Sequence, residues 1–288
     1  VKMVSESDGS LPAVGSEGRA FGALLTYIRR QRGLDYGQYK ESFLCRRLAV
    51  RMRAQGADTY QAYLGVLCSD EAELDALFTA LSINVSYFFR DRVAFDALRH
   101  AVLTTLIAER SRARQRRLTV WSAGCAAGEE PYSVAMILTD LLGSALSRWE
   151  LQIHATDIDT DVLARARRGV YKATSFQDLQ VDFVERYFAQ SGDRYTLQPA
   201  IRQLVAFRWH NLTTPPLLPR YDLILCRNVL IYFPRQHQER IVHHLLDHLE
   251  MGGCLMLGMV EMLPLALYSR LEAVDGRLRI YRKVKRKT

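Results

Sequence analysis

Polar and charged side chains gather at the ends of successive predicted strands. Glu129 and Glu130 follow the first strand, Asp157 ends the second, Asn211 follows the third, and Arg227 with Asn228 follows the fourth. A carboxylate at the end of the second strand is suited to accept hydrogen bonds from ribose hydroxyls. Two carboxylates at the first turn repel phosphate, so a ribose or a cationic group fits there better. Each residue alone also has a structural reading: Asp159 or Thr160, for instance, is placed to cap the helix that follows. Together they describe a rim of nucleoside size.

The elements that must hold this rim centre on Leu118–Ala135. Leu118, Val120 and Trp121 read as a buried strand. Ser122 to Gly128 are all small, and glycine permits a tight turn that brings the main chain close to a ligand. Pro131 suits a first helical turn, and Val134, Ala135, Ile137, Leu138, Leu141 and Leu142 recur at helical spacing. Further strands are predicted at Leu151–Ala155, Leu204–Trp209, Tyr221–Cys226, Cys254–Leu257 and Arg279–Val284. Helices are predicted at Asp161–Arg168 and Gln236–Leu249. Such alternation implies an α/β fold with a mostly parallel sheet, whose ligands sit at the carboxyl ends of the strands. Between Gly169 and Gln203 the alternation lapses. A helix over Phe183–Ala189 and short strands at Tyr195–Leu197 and Ile201 predict a small inserted subdomain.

Residues 1–17 are polar and Gly/Ser-containing and read as a disordered lead-in. Residues 18–90 read as a helical domain, and residues 91–288 as the α/β domain with its insert at 169–203. Within the helical part, helices are predicted at Phe21–Arg32, Ser42–Gln55, Thr59–Leu67 and Glu71–Leu81, with Asp58 and Asp70 as caps. The second helix carries Arg46, Arg47, Arg51 and Arg53 with no acidic residue among them. It is a candidate contact surface for an acidic partner.

With 288 residues, the chain carries a net charge of +8, which also favours an acidic partner. No apolar run has the length of a membrane span, and no signal-peptide pattern opens the chain. Five scattered cysteines without a C-x-x-C pair point to a reducing cytoplasm rather than to disulfides or a metal site.

Four runs carry a family resemblance. They are Ser122-Ala123-Gly124 through Glu129-Glu130-Pro131-Tyr132-Ser133, Ala155 to Thr160, Cys226 to Phe233, and Leu257 to Glu261. With Asn84 to Arg90 and the basic helix, they resemble the chemotaxis receptor methyltransferases, the CheR family, from about Phe21 to Val284. The resemblance implies a Rossmann-like S-adenosylmethionine-dependent methyltransferase domain, an N-terminal helical domain and a small inserted β-subdomain. It implies S-adenosylmethionine as methyl donor, leaving S-adenosylhomocysteine. The acceptor would be glutamate side chains on the cytoplasmic helical bundle of a methyl-accepting chemoreceptor, with glutamyl methyl esters as product. Carried over by position, cofactor contacts fall on Asn84, Ser86, Arg90, Glu130, Asp157, Asn211, Leu212, Arg227 and Asn228. Where the family usually has Thr-Asn-x-Thr, this chain has Ile83-Asn84-Val85-Ser86. Ser86 keeps a hydroxyl and Ile83 loses one.

A glutamate carboxylate, with an ordinary pKa of about 4.3, needs no general base to act as a nucleophile at neutral pH. The site then needs positioning and exclusion of water. Arg90 is expected to hold the acceptor carboxylate or the cofactor, and Tyr232 to orient the acceptor. Two rival classes remain. Methylation of nucleic acid or of another protein is one, although the fourth strand end lacks both an Asp/Asn-Pro-Pro-Tyr/Phe run and a Pro-Cys pair. A non-catalytic ligand-sensing module is the other, against which the retained Arg90, Asp157, Asn228 and Tyr232 argue.

Overall fold

The computed structural model describes residues 15–82, 85–215 and 220–285. It divides into two compact units, residues 1–83 with 232–234, and residues 84–231 with 235–288. The division thus falls before Arg90, and the short segment Tyr232–Pro234 is counted with the helical unit. Residues 1–14 of the expected lead-in lie outside the described residues. Ser16 and Glu17, expected within that lead-in, instead open the first helix.

The first unit is a bundle of four helices: α1 (Ser16–Arg32), α2 (Glu41–Ala54), α3 (Tyr60–Ser69) and α4 (Glu71–Leu81). Gly33, with φ 70°, closes α1 by donating its N–H to the Arg29 carbonyl. Thr59, not Asp58, caps α3 through the Ala62 N–H, and Asp70 caps α4 through those of Ala72 and Glu73. Leu24, Ile28, Leu44, Leu48, Tyr63 and Leu77 are fully enclosed in its core. Each such apolar side chain stabilises the bundle by about 1.5–3 kcal/mol.

The second unit opens with a helical stretch, α5 (Arg92–Ala97) and α6 (Thr104–Arg112), joined by a π-helical segment at Leu98–Leu103. The strands follow as β1 (Arg117–Ala123), β2 (Glu150–Asp157), β3 (Val170–Lys172), β4 (Phe188–Ser191), β5 (Arg194–Leu197), β6 (Val205–Trp209), β7 (Tyr221–Cys226), β8 (Leu249–Leu257), β9 (Leu271–Asp275) and β10 (Ile280–Lys283). Between them lie α7 (Glu129–Leu142), α8 (Thr160–Arg168), α9 (Val181–Tyr187), α10 (Pro199–Arg202) and α11 (Arg235–Asp247).

The main sheet has the order β6-β2-β1-β7-β8-β10-β9. Five strands are parallel, and β10 enters antiparallel between β8 and β9. The chain leaves β1 towards β2 on one side, while β7 pairs on the other. That reversal opens a crevice at the carboxyl ends of β1 and β7, where ligands of such sheets bind. β1 and β7 are buried along almost their whole length, so Thr119, Ser122 and Asp222 are taken inside together with the apolar residues. The insert is a three-stranded antiparallel sheet, β3-β5-β4.

Three local expectations are corrected. Phe188 and Ala189, expected at the end of a helix, open β4 instead. Ile201 lies in α10, started by Pro199 at its first position, and not in a strand. α11 ends at Asp247, and Leu249, expected in that helix, is the first residue of β8. β9 is an added edge strand with no expectation behind it: its Leu271-Glu272-Ala273-Val274-Asp275 is too short and too polar to announce itself.

Candidate functional site

The turn after β1 is held by the end of β2. Gly124 (φ +80°) and Cys125 both donate their N–H to the Thr156 carbonyl, at 2.8 and 2.9 Å. A Cβ on Gly124 would lie 2.5 Å from Val229, so only glycine lets this turn close on the end of β7. Asp157 braces the same turn: one carboxylate oxygen accepts the Ala126 N–H at 2.9 Å, and the other accepts the Asp159 N–H at 3.0 Å. Each oxygen keeps a further lone pair for a ligand. Burial pushes the Asp157 carboxyl up, while those N–H donors pull it down.

Arg227, at the end of β7, gathers three segments. Its side chain is 2% exposed. It donates to Asp91 at 2.7 Å, to the Arg90 carbonyl at 2.8 Å and to Glu130 at 3.4 Å, and it lies over the Phe95 ring. Ser122 donates to the other Glu130 oxygen at 2.7 Å. Burial raises the Glu130 carboxyl, with Arg227 and Ser122 opposing. Arg227 is therefore enclosed by protein, holding Asp91 and Glu130 in place. Asp91 had no place in the expected site. Its signal would have been its position directly after Arg90.

Asn228, at φ 57°, begins the next turn. The buried carboxylate of Glu261 accepts the N–H groups of Asn228, Val229, Leu230 and Gly258, between 2.6 and 3.0 Å. Nothing in the sequence around Glu261 announces this task, because the four backbone donors converge only once β7 and β8 lie side by side.

Glu129, the first residue of α7, is 4% exposed. Ser86 donates a hydrogen bond to it, and its Oε2 has no hydrogen-bond partner. Burial drives its carboxyl up to about 7, against the pull of its own N–H, Ser86 and Arg165. Beside it the Tyr171 hydroxyl donates to the Ala127 carbonyl at 2.8 Å. Six described non-glycine residues have left-handed backbone, and four of them, Phe89, Asp91, Ala126 and Asn228, lie in the three segments that meet here. Strain of this kind persists where surrounding contacts impose it, and it concentrates at functional sites.

The remaining expected residues are placed as follows. Arg90 donates to the Val85 carbonyl at 2.8 Å and lies over the Tyr87 ring. The Asn211 side-chain oxygen accepts the N–H and hydroxyl of Thr213, and Leu212 is buried. Asn84 lies outside the described residues. Tyr232 belongs to the helical unit, where its ring packs 5.1 Å from that of Phe43 and its carbonyl accepts the Lys40 N–H. On α2, Arg46 and Arg53 are exposed. Arg47 is half-buried over Phe43, with its Nε unpartnered. Arg51 pairs with buried Glu73. The expectation that no acid neutralises these arginines is corrected for Arg51, because Glu73 reaches it from another helix.

Two family models match the chain. The CheR methyltransferase all-alpha domain covers residues 19–82, and the CheR methyltransferase SAM binding domain covers residues 84–279. The chain belongs to the CheR methyltransferase family. A chemotaxis protein methyltransferase of Listeria monocytogenes is 36% identical over 231 residues, covering 80% of this chain and 85% of that one. Its Escherichia coli counterpart is 32% identical, with 81% of each chain covered. An uncharacterised 104.1 kDa protein of Rhodobacter capsulatus is 36% identical over 261 residues, which are 90% of this chain but 27% of that relative. As a CheR-family chain it is an S-adenosylmethionine-dependent methyltransferase, with the helical and nucleoside-binding domains that the fold displays.

The residues fit such a cofactor. Gly124 clears the turn for close approach, Asp157 stands at the end of β2, and Glu129 holds an unpartnered buried oxygen beside the turn. An acidic, glycine-opened crevice suits a cationic nucleoside and repels a phosphate. When bound, S-adenosylmethionine supplies an electrophilic methyl on a positively charged sulfur. Among the described residues no cluster of His, Cys, Asp and Glu has the geometry of a metal site, and no helix is long and apolar enough to cross a membrane.

Proposed function

We propose that this chain methylates glutamate side chains on the cytoplasmic helical bundle of a methyl-accepting chemoreceptor, giving glutamyl methyl esters. The supporting observation is the acidic, glycine-opened turn after β1: Gly124 lets the turn close, and both Asp157 oxygens, each already holding one N–H, keep a lone pair for ribose hydroxyls. Burial raises the enclosed Cys125 and Cys226 thiols well above their ordinary value, so neither is poised as a nucleophile, and a glutamate acceptor, already ionised at neutral pH, needs no such group. The names of the Listeria and Escherichia relatives support the same acceptor pathway.

In this reading Asp157 accepts the cofactor's ribose hydroxyls, with Ser86, Asn211, Leu212 and Asn228 around the nucleoside and Asn84 completing the set. Arg227 acts through Glu130 and Asp91, which it holds. Arg90 exchanges its contact with the Val85 carbonyl for a charged group of the cofactor or acceptor. Tyr232 orients the acceptor carboxylate. A carboxylate oxygen forms the new bond to the methyl as the sulfur–methyl bond breaks, and no proton moves. The rate therefore comes from alignment and from exclusion of water.

The test is transfer of labelled methyl from S-adenosylmethionine to receptor-containing membranes. Label released by mild base marks an ester and supports the reading. Base-stable label, or none, overturns it.

A further inference from the structure

The loop leaving the carboxyl end of β8 carries exposed apolar side chains in succession. Met259, Val260, Met262 and Leu265 are 40, 70, 70 and 76% exposed, while Glu261 and Leu263 between them are 2 and 3% exposed. The loop thus turns one set of residues inward and presents the others to solvent. Scattered exposed apolar residues are ordinary, but a contiguous cluster on a built loop marks an interaction site.

This loop is tied to the rim of the crevice. Glu261 accepts N–H groups from Gly258 in the loop and from Asn228, Val229 and Leu230 at the end of β7. The two backbones approach so closely that a Cβ on Gly258 would lie 2.8 Å from the Asn228 nitrogen. β7 and β8 are parallel neighbours, so their carboxyl ends share one edge of the sheet. The apolar cluster is therefore joined to the turn that carries Asn228, at the same edge of the sheet as the crevice.

We infer that Gly258–Leu265 is a docking surface for the methyl-accepting protein, seating apolar side chains that flank the reactive carboxylate on an amphipathic helix. The inference rests on the proposed protein acceptor. A helix offers such flanking residues at i±3 and i±4, and unbranched methionine adapts to differing neighbours, which suits more than one acceptor sequence. A lipid surface is the poorer occupant. No Lys or Arg occurs from Gly258 to Ser269, whereas segments that lie on anionic membranes pair apolar with basic residues.

The experiment uses the full chain with Val260→Ser, Met262→Ser and Leu265→Ser combined, changes that add no charge. Substrates are receptor-containing membranes and a soluble fragment of the receptor's helical bundle. The expected result is an apparent Michaelis constant raised at least about fivefold for both substrates. Turnover at saturation, S-adenosylhomocysteine affinity and melting temperature should stay within error of the parent. A variant with parental Michaelis constants, tested beside a parent that forms base-labile ester, overturns the inference and leaves the acceptor assignment standing. An effect confined to membranes assigns the loop to lipid and overturns it too. So does a parent dimer that the substitutions convert to monomer, seen by light scattering. A parent that forms no ester sinks the acceptor assignment and this inference with it.

Discussion

Arg51 and Glu73 form an ion pair inside the helical unit: the Arg51 Nε donates to Glu73 Oε1 at 3.0 Å and its Nη2 to the other oxygen. Tyr63 and Gln55 also donate to the carboxylate, each at 2.6 Å. Glu73 is 2% exposed, and Arg51 with these two donors holds its carboxyl below the usual range against the opposing effect of burial. Arg51→Ala should strand this charge and destabilise the chain by about 3 kcal/mol or more, because breaking a buried pair costs far more than the pair contributes. Chemical denaturation of variant and parent measures it. A loss below about 1 kcal/mol would mean that Tyr63 and Gln55 suffice.

Arg46 and Arg53 are the exposed cations of α2, and they are the better probes of docking to an acidic acceptor. Exposed charge pairs contribute about 0.2–1 kcal/mol each and are screened by salt, so their effect should appear in encounter rate and apparent affinity. Arg46→Glu with Arg53→Glu should raise the Michaelis constant for receptor while leaving cofactor affinity unchanged. Added salt should imitate the loss in the parent and alter the double variant less. Parental kinetics at low salt would make α2 an ordinary solvated face.

Asp157→Ala should weaken S-adenosylmethionine and S-adenosylhomocysteine by about 1.5–3 kcal/mol, the loss expected for hydrogen bonds to a charged acceptor. Since Asp157 also holds the Ala126 and Asp159 N–H groups, hydrogen exchange in residues 124–128 should rise as well. Calorimetry showing unchanged affinity would remove Asp157 from the nucleoside site.

Glu129 predicts a pH dependence. Its carboxyl is raised from 4.5 to about 7, so the folded chain binds a proton there that the unfolded chain releases. Stability from this group is full below about pH 4.5, falls as pH rises to about 7, and is flat beyond. The shift corresponds to about 3 kcal/mol at most. Glu129→Gln, which cannot ionise, should flatten that slope and melt higher than the parent at pH 8. Identical slopes in the two proteins would show that Glu129 titrates normally.

Tyr232→Phe should bind cofactor as the parent does and transfer methyl more slowly, since the hydroxyl that orients the acceptor is removed. Arg90→Ala should lower turnover further, because a cation is lost from the reacting centre. Single-turnover rates at saturating cofactor and receptor separate these effects from binding. Parental rates in both variants would move the reacting centre elsewhere.

Local spacing alone carried much of the architecture. The apolar runs of β1 and β7 and the helical repeat from Val134 to Leu142 announce an α/β unit, because strand and helix periods are properties of neighbouring residues. Glycine-rich Ser122–Gly128 and the strand-end residues Asp157 and Asn228 marked the crevice for the same reason. What local pattern cannot contain is pairing between distant segments. The insertion of β10 between β8 and β9 depends on which edges remain open after the parallel strands assemble. Arg51 looked free in its own helix and is paired by Glu73 from α4. Arg227 looked like a ligand-facing cation and is enclosed among Asp91, Glu130 and Phe95. Glu261 gained its task only when β8 came to lie beside β7 and brought four N–H groups within reach of one carboxylate. Residue type and spacing determined which chemistry the rim could host. Tertiary packing decided which of its charges remain available for it, since burial and the partner across the fold set the state of each group.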